Sequence, residues 1–299
     1  MEAIEKKKKK QPIGMIVFYV ILYLVFAISI FVTLYPFWNL CVISLNEPYD
    51  SLKGGLTFWP RKFSWINYAT LFEGNNLDTM TIAALNSVLR TVLGTLINTF
   101  FSTLIAYALT RPNFILRKFM NTYVVIPMYI SVGLIPTYLL YQDLGLLDSF
   151  AVYIVPNLIS AYNIIILRTY IGELPSGLSE AAKLDGAGEH IIFFRVILPL
   201  TLPSLATVSL FIAVFHWSSW QDTMFYANRN GLQTLQYEMA KIVRGNTAIS
   251  SGAGSMQSRP TTETLNAAIT IVATLPIIIL YPFLQKYFVN GMTIGAVKE

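Results

Sequence analysis

Cysteine, histidine and charge are all scarce in this sequence. Its 299 residues include one cysteine, Cys41, and two histidines, His190 and His216, and charged residues make up only 12% of the chain. The lone cysteine excludes an intrachain disulfide and a thiolate metal cluster. Two imidazoles offer little for a metal site, so no metal or other cofactor is expected in this chain. A soluble domain typically carries about twice this fraction of charge, which argues against a soluble globular fold.

Apolar residues are what the sequence has in abundance. They form 55% of the chain, and several uninterrupted runs reach the roughly 20 residues that a helix needs to cross a bilayer. The strands of a transmembrane barrel would instead alternate apolar and polar residues over about 10 positions. The pattern therefore predicts an all-α, polytopic integral membrane protein.

The N-terminus combines a basic block with a long apolar run. Residues 6–10 are consecutive lysines, and the apolar run extends from residue 13 to Trp38. The apolar region of a signal peptide covers only about 7–15 residues, so this run is interpreted as an uncleaved first span. The lysines favour the cytoplasmic side and anionic headgroups. They explain the net charge of +5 without a nucleic-acid partner.

Six membrane spans are predicted from the apolar runs. They cover residues 13–34, 86–109, 123–141, 151–167, 200–217 and 267–283. The link after the second span carries Arg111, Arg117 and Lys118, whereas the link after the third carries Asp143 and Asp148 and no basic residue. Positive charge marks the cytoplasmic side. Both termini are therefore expected inside the cell, an N-in/C-in topology.

This topology divides the chain into segments. The predicted parts are a cytoplasmic basic N-terminus at 1–12, a six-helix transmembrane domain at 13–289 and a cytoplasmic tail at 290–299. Within the domain, a cytoplasmic loop covers 173–200, and external loops cover 43–85 and 218–266. Residues 245–255 are rich in Gly and Ser. A segment of that composition buries little surface and is expected to be mobile.

The cytoplasmic loop is a polar, helix-forming island in an apolar chain. Pro175 and Ser176 suit the start of a helix, proline in its first turn and serine as a cap. The three- and four-residue spacing then predicts one helix face with little side-chain bulk, made of Leu178, Ala181, Ala182 and Asp185. Such a face allows the backbone of another protein to approach closely. An ordinary amphipathic linker between two spans is the alternative interpretation.

A turn and a second helix are predicted after this face. Asp185 to Gly188 breaks the first helix, because glycine adopts left-handed backbone angles at low cost. The second helix, at 189–197, presents a set of side chains for packing against the membrane domain: Ile192, Phe193, Val196 and Ile197. A helix, a turn and a braced second helix form a suitable shape for passing on motion.

The order of residues in this loop resembles a known signature. Glu180-Ala181-Ala182, Gly186 and the closing Leu198-Pro199 are similar to the signature loop of permease subunits of binding-protein-dependent ATP-binding-cassette (ABC) importers, with Val196 where isoleucine is more usual. In that family the loop meets the ATPase. The resemblance thus implies a type I ABC importer permease fold and assigns ATPase coupling to a set of residues: Glu180, Ala181, Ala182, Asp185, Gly186, Leu198 and Pro199.

The resemblance extends over nearly the whole chain. Residues 86–111 resemble the second core helix of carbohydrate-type permeases, and residues 283–298 resemble their C-terminal tail. Residues 216–222, His-Trp-Ser-Ser-Trp-Gln-Asp, differ from the Trp-Asn that many of these permeases carry. They are closer to the subgroup associated with complex, often uronate-containing, oligosaccharides. The chain is similar to the smaller permease of the maltose system.

Membership of this family would define the partners. It implies a multi-pass protein of a bacterial-type cytoplasmic membrane, paired with a second homologous permease, two ATP-binding subunits and an extracytoplasmic solute-binding protein. The sugar would move by ATP-driven alternating access. The chain carries no phosphate-binding Gly-x-x-x-x-Gly-Lys-Ser/Thr motif, so ATP and Mg²⁺ are expected on the partner ATPases and this chain is not expected to be an enzyme.

A polytopic membrane enzyme and a secondary transporter are the alternative functions. A polytopic membrane enzyme would need convergent acids or a metal site at an interface. His216 and Asp222 are six residues apart without a third partner, which is thin support for acid–base chemistry. A secondary transporter would have no use for the Glu-Ala-Ala loop. Copurification with an ATPase would distinguish an importer permease from both alternatives.

Polar residues within the predicted spans are candidates for lining a cavity. Arg90 lies about one turn inside the second span, where a charge is costly, although its long side chain can also snorkel to the interface. Asn98, Asn157 and Asn163 either line a hydrated path or hydrogen-bond between helices. The candidate cavity-lining residues are therefore Arg90, Asn157 and Asn163.

Two further segments are assigned to partners by the resemblance. The tail, with Gly291, Thr293 and Gly295, is expected to insert along the ATPase dimer, with a disordered terminus as the alternative. Residues 244–258 of the second external loop are expected to reach the binding protein, with an unconstrained linker as the alternative.

Overall fold

A computed structural model describes residues 13–55, 57–71, 76–130, 132–229, 231–249 and 260–296. This part is helical and contains no strand apart from an isolated bridge between Asn46 and Phe63. The α-helices are α1 (Ile13–Ser44), α2 (Pro48–Ser51), α3 (Ile66–Leu71), α4 (Asn76–Thr110), α5 (Arg117–Val125), α6 (Leu134–Asp143), α7 (Ala161–Glu173), α8 (Ser176–Leu184), α9 (Glu189–Ile191), α10 (Leu198–Leu200), α11 (Leu202–Ser218), α12 (Gln221–Tyr226), α13 (Leu235–Ile249) and α14 (Thr262–Ala296).

Three helices in the described ranges are long and apolar enough to cross a membrane. They are Ile13–Ser44, Asp78–Thr110 and Thr262–Pro282. Two bent pairs raise the number to five if each pair is one span: Phe150–Asn157 with Ala161–Glu173, bent by 46°, and Glu189–Leu200 with Leu202–Ser218, bent by 79°. The prediction of a mainly helical membrane protein is confirmed at this level.

The predicted third span, at 123–141, is not one helix. The chain forms α5, a short 3-10 turn at Ile126–Met128 and, after Gly133, α6. Pro127 supplies no amide hydrogen for a continuous helical ladder. Gly133 then takes a left-handed φ of 84° at the start of α6. Apolar composition predicted the segment, but it could not show this break.

The break in the fourth predicted span is supported by hydrogen bonds from two sides. Ser160 caps the start of α7, and its hydroxyl accepts a hydrogen bond from the amide of Asn163. Asn98 of α4 donates its side-chain amide to the backbone carbonyl of Asn157, a carbonyl at the C-terminal end of the preceding 3-10 helix. A side chain of a neighbouring helix thus satisfies backbone that the break leaves unpaired, as an apolar environment demands.

Contacts divide the chain into two compact units, the first being Met1–Thr70 with Ala253–Ile271. In it, α1 is exposed along its apolar length. The segment after α1 is held by polar contacts around Asp50, whose carboxylate accepts Arg61 Nε at 2.7 Å and Asn46 Nδ2 at 3.2 Å. These two contacts lower the pKa of Asp50 to about 2.

The second unit, Leu71–Gly252 with Val272–Glu299, contains the main core. There α4 packs against α7 and α11. The fully buried side chains at this junction include Ala106, Leu109, Ile164, Leu167, Ile192, Phe193 and Val208. The signature loop follows α7 directly, so the same core supports it.

Helix boundaries differ from the predictions at α4 and at α13. Helix α4 begins at Asn76, inside the predicted external loop at 43–85. Helix α13 continues to Ile249, so the first residues of the Gly/Ser-rich stretch 245–255 lie in a helix. Residues 250–259, which hold most of the predicted reaching loop, lie outside the described residues.

The structure describes the two ends of the chain only in part. Helix α14 continues to Ala296, and Gly291, Thr293 and Gly295 lie within it. The predicted basic N-terminus at 1–12 and residues 297–299 are not among the described residues. Insertion of this tail along an ATPase dimer stays a prediction.

Candidate coupling site

The signature loop begins with α8, which follows Pro175. The amide of Leu178 donates to the carbonyl of Pro175 at 3.3 Å. Proline restricts the backbone in a way that suits a helix start. The predicted serine cap is wrong, because Ser176 is the first residue inside the helix and no side chain caps this end.

A glycine turn ends α8 in the form of a Schellman motif. The amide of Ala187 donates to the carbonyl of Ala182 at 2.9 Å, and that of Gly186 donates to Lys183 at 3.0 Å. Gly186 has a φ of 81°, in the left-handed region where glycine has no side-chain penalty. The predicted helix break at Gly186 is confirmed, and its hydrogen bonds fix the direction in which the chain leaves α8.

Glu189 holds the turn to the rest of the loop. Its carboxylate accepts Lys183 Nζ of α8 at 2.7 Å and the hydroxyl of Tyr107, in α4, at 2.6 Å. Arg111 Nε lies 3.9 Å from the same carboxylate. One side chain at the start of α9 thus connects the last turn of α8 with the end of α4.

The end of α4 offers a rigid support for this contact. The guanidinium of Arg111 lies over the Tyr107 ring, 4.2 Å from its centroid, and the Tyr107 ring contacts that of Phe193 with centroids 5.1 Å apart. A cation over an aromatic face is attracted by the ring. Tyr107 is buried, so its hydroxyl has a fixed position from which to bind Glu189.

The second half of the loop packs inward as predicted. Residues Ile192–Ile197 form a π-helix, in which the backbone hydrogen bond spans one extra residue. Ile192, Phe193 and Ile197 are buried in the main core, with Val196 partly buried against it. Leu198 also packs against this core, whereas Pro199 is exposed at the bend before α11. The loop is therefore braced against α4 and α7.

The exposed face of α8 differs from the one the sequence predicted. Ser179 is buried and Ala182 packs against the core, so the two alanines of the signature do not share a face. Ala181 and Glu180 point outward with Leu184, which is 90% exposed. Residues 177, 180, 181 and 184 form this stripe by helical spacing, and we call it the outer face of α8.

The outer face lacks partners within the described chain. The carboxylate of Glu180 makes no ion pair or side-chain hydrogen bond with any described residue. Leu184 is a large apolar side chain held in the open by a turn with defined hydrogen bonds. An apolar residue beside an unpaired carboxylate and a small alanine is a suitable surface for a partner protein.

The three candidate cavity-lining residues have different surroundings. Arg90 is 0% exposed and forms an ion pair with Asp222 through both carboxylate oxygens, so it does not snorkel. The backbone carbonyl of Asn157 accepts a hydrogen bond from the side chain of Asn98. This contact supports the interpretation that Asn98 forms hydrogen bonds between helices. Asn163 is buried near the start of α7. A cavity-lining role for these residues stays a prediction.

Sequence reasoning missed Leu184, Tyr107 and Glu189 as parts of this site. Leu184 lies three residues after Ala181, so helical spacing would have found it once Ala182 was known to face inward. Glu189 precedes the second helix, and nothing in the sequence indicated that its partner is a tyrosine about 80 positions earlier. No group of three metal-ligating side chains occurs in the described ranges.

Comparisons with known proteins match this architecture to a transport family. Residues 98–294 match the family described as "Binding-protein-dependent transport system inner membrane component". The chain belongs to this family. The match includes the signature loop, the end of α4 that supports it and most of α14. The predicted resemblance to such permease subunits is confirmed, and the family is a transport component.

Individual relatives of this permease agree with that assignment. It is 36% identical to the polygalacturonan/rhamnogalacturonan transport system permease protein YtcP of Bacillus subtilis (strain 168), over 88% of this chain and 92% of the relative. It is 28% identical to the arabinooligosaccharides transport system permease protein AraQ of Halalkalibacterium halodurans, over 91% and 94%.

A solved structure shares the fold of this permease. It is a chain of a bacterial ABC transporter involved in the import of the acidic polysaccharide alginate. The TM-score is 0.81 at 25% identity, and the similarity covers 94% of this chain and 100% of the other. The overall helical fold is therefore similar to that of this ABC transporter chain.

Proposed function

We propose that this permease imports uronate-containing oligosaccharides as one membrane subunit of an ABC importer. Its partners are a second permease, two ATPase subunits that bind ATP and Mg²⁺, and an extracytoplasmic solute-binding protein. The chain crosses a bacterial cytoplasmic membrane six times with both termini inside. The broken helices α5 and α6 form the third of these spans, and the 79° bend separates the signature loop from the fifth.

The outer face of α8 is the observation that supports coupling to an ATPase. Glu180, Ala181 and Leu184 are exposed, and the same helix is anchored by the Gly186 turn and by Glu189. A helix with one free face and a rigidly attached opposite side passes a displacement at the free face on to the membrane domain. Closure of the ATPase dimer moves α8, and α8 moves α4 and α7.

The substrate class is proposed from the relatives. One is a polygalacturonan/rhamnogalacturonan permease and the structural neighbour serves alginate import; both substrates are acidic. The sequence of residues 216–222 points in the same direction. Arabinooligosaccharides, the substrate of another relative, are the neutral alternative that a transport assay separates.

Uptake by the reconstituted importer tests this proposal. The permease, its partner permease and the two ATPases are purified together and placed in liposomes with the solute-binding protein. We expect ATP-dependent uptake of oligogalacturonates in preference to arabinooligosaccharides. Uptake of neither sugar, or a permease that does not copurify with an ATPase, would contradict the proposal.

Two variants at one position test the outer face of α8. Ala181→Trp places a large side chain on the proposed ATPase contact, where overpacking costs about 1–3 kcal/mol, so it should lower coupled uptake while membrane insertion is unchanged. Ala181→Ser adds little volume and should behave as the parent. Equal uptake by both variants would show that Ala181 does not touch the ATPase.

A further inference from the structure

The corner between α11 and α12 is a junction of several helices that the coupling loop does not explain. It consists of residues 216–222, the His-Trp-Ser-Ser-Trp-Gln-Asp stretch that the sequence singled out. We call this stretch the corner. It lies at the opposite end of α11 from the signature loop, on the side that the proposed topology makes external.

Arg90 of α4 binds groups at both the end of α11 and the start of α12. Its Nη1 donates to the backbone carbonyl of Ser219, the C-cap of α11, at 3.2 Å and to Asp222 Oδ1 at 3.0 Å. Its Nη2 forms an ion pair with Asp222 Oδ2. The guanidinium therefore fixes the end of one helix and the first turn of the next with a single planar group.

The same pair is supported from a third direction. The guanidinium of Arg90 lies over the Tyr153 ring, 4.6 Å from its centroid. The hydroxyl of Tyr153 donates to the carbonyl of Leu232 at 2.8 Å, and it is hydrogen-bonded to the hydroxyl of Thr223 at 3.1 Å. Tyr153 and Thr223 are fully buried, so this hydrogen-bond network lies in the packed interior of the protein.

Two tryptophans connect the corner to helices α13 and α14. The indole Nε1 of Trp217 donates to the carbonyl of Ala273 in α14 at 2.8 Å. The Trp220 ring lies beneath the guanidinium of Arg244 in α13, at 4.5 Å. The corner thus contacts both α13 and α14.

The chain after the corner is tied back to α4 as well. The side-chain amide of Asn86 donates to the carbonyls of Gly231 and Gln233 at 2.8 and 3.0 Å. The hydroxyl of Ser87 accepts the amide of Leu235, the first residue of α13, at 2.8 Å. The base of the external loop therefore cannot shift without either moving α4 or breaking several buried hydrogen bonds.

From this arrangement we infer that Arg90 and Asp222 are positioning residues for transport. They join the external loop to α4, so that contact with the solute-binding protein at the loop reaches the helix whose far end supports the signature loop. The inference rests on the proposed function. A buried ion pair is weak evidence for stability, because two well-packed apolar residues often stabilise as well or better. A buried charge pair in a membrane helix is more often connected with function.

The physics of a buried pair decides which variants are informative. Removing one partner leaves the other charge buried without compensation, and this alone is strongly destabilising. Removing both charges avoids that penalty. The informative variant is therefore Arg90→Leu with Asp222→Leu, in the complete importer with its ATPases and binding protein.

We expect this double variant to assemble and to retain basal ATPase activity. Stimulation of the ATPase by the binding protein, loaded with oligogalacturonates, should fall by about ten-fold, within the usual range of coupling between two sites. The concentration of binding protein that gives half-maximal stimulation should change little, because the docking surface is intact. A merely structural pair would leave stimulation unchanged in any variant that folds.

The parent importer, measured beside it, separates the two proposals. If the parent is not stimulated by its binding protein, the proposed function fails. If the parent is stimulated and the double variant equally so, the role of the pair fails and the proposed function stands.

A second variant tests the inference if the double variant does not assemble. Asp222→Glu keeps both charges but lengthens the acidic arm, so it should fold and yet move the corner relative to Arg90. Reduced stimulation with unchanged half-maximal concentration is expected. Parent-like stimulation of Asp222→Glu would overturn the inference just as unchanged stimulation of the double variant would.

Discussion

Gly94 of α4 packs directly against the imidazole of His216 in α11. A Cβ built on Gly94 would lie 2.4 Å from His216 Nε2 and 2.6 Å from Cε1, distances that no real Cβ adopts. His216 is buried, so its ring has no solvent-filled space into which to move. The absence of a side chain at this position allows the close approach of α4 and α11.

Gly94→Ala is therefore expected to destabilise the permease. The added methyl forces α4 and α11 apart, at a cost of about 1–3 kcal/mol, which a detergent thermal-unfolding assay would show as a lower Tm. Gly172→Ala is the matched control, since Gly172 lies in α7 with nothing within 4 Å of its built Cβ. An alanine there should be neutral or stabilising. Equal Tm changes for the two variants would contradict the close contact.

Gly186 should tolerate asparagine better than alanine. Its φ of 81° is left-handed, a conformation that costs most residues about 1–2 kcal/mol but that asparagine visits more readily. Its built Cβ meets nothing within 4 Å, so strain rather than crowding decides. Uptake and coupled ATPase activity should rank parent, then Gly186→Asn, then Gly186→Ala. The reverse order of the two variants would show that the turn does not govern coupling.

Glu189 should hold α8 through two separable contacts. Glu189→Gln removes the ion pair with Lys183 but keeps an oxygen for Tyr107. Because Lys183 and Glu189 are about half exposed, this loss is worth only about 0.2–1 kcal/mol. Tyr107→Phe removes a partly buried hydrogen bond, worth about 0.5–1.5 kcal/mol.

Hydrogen exchange of the α8 amides measures both effects. Exchange should accelerate modestly in Glu189→Gln and more in Tyr107→Phe. Raising the salt concentration should reduce the difference between the parent and Glu189→Gln, because salt screens exposed charges. A salt-independent difference would mean that the ion pair does not hold the helix.

Acid should loosen the segment around Asp50. Arg61 and Asn46 lower the pKa of Asp50 from 3.8 to about 2. A carboxylate whose pKa is lowered by folding stabilises the fold fully above its ordinary pKa, and the contribution is lost as the pH falls to about 2. Pepsin digestion, which works in this range, should cut residues 45–67 faster at pH 2 than at pH 4.

Asp50→Asn provides the control for this pH dependence. It removes the titrating group, so its own extra cleavage between pH 4 and pH 2 should be smaller than that of the parent. The same acceleration in both proteins would assign the effect to another group.

The signature loop shows where sequence reasoning succeeded. The helix break at Gly186 and the inward packing of Ile192, Phe193 and Ile197 were both predicted, because glycine conformation and apolar spacing are local properties. The outer face of α8 was predicted only in part. The spacing of Ala181 and Ala182 does not say which of them meets the core. Only the packing of α8 against the segment Ile192–Ile197 and its core places Ala182 inward.

The Arg90–Asp222 pair shows where it failed. A lone arginine near a helix end is compatible with snorkelling, and its partner is 132 positions away in the sequence. No local pattern connects two such residues. The pair exists because α4 and the corner after α11 are packed side by side.

Composition and residue order by themselves determined that this is a helical membrane protein and that its polar loop resembles that of an importer permease. Apolar length sets what dissolves in a bilayer, and short motifs record local backbone geometry. Only the tertiary structure decided where the third, fourth and fifth predicted spans break or bend, which side of α8 is free, and that Arg90 is paired. Those features depend on contacts between helices distant in sequence, which bury charge and backbone that no single segment can satisfy alone.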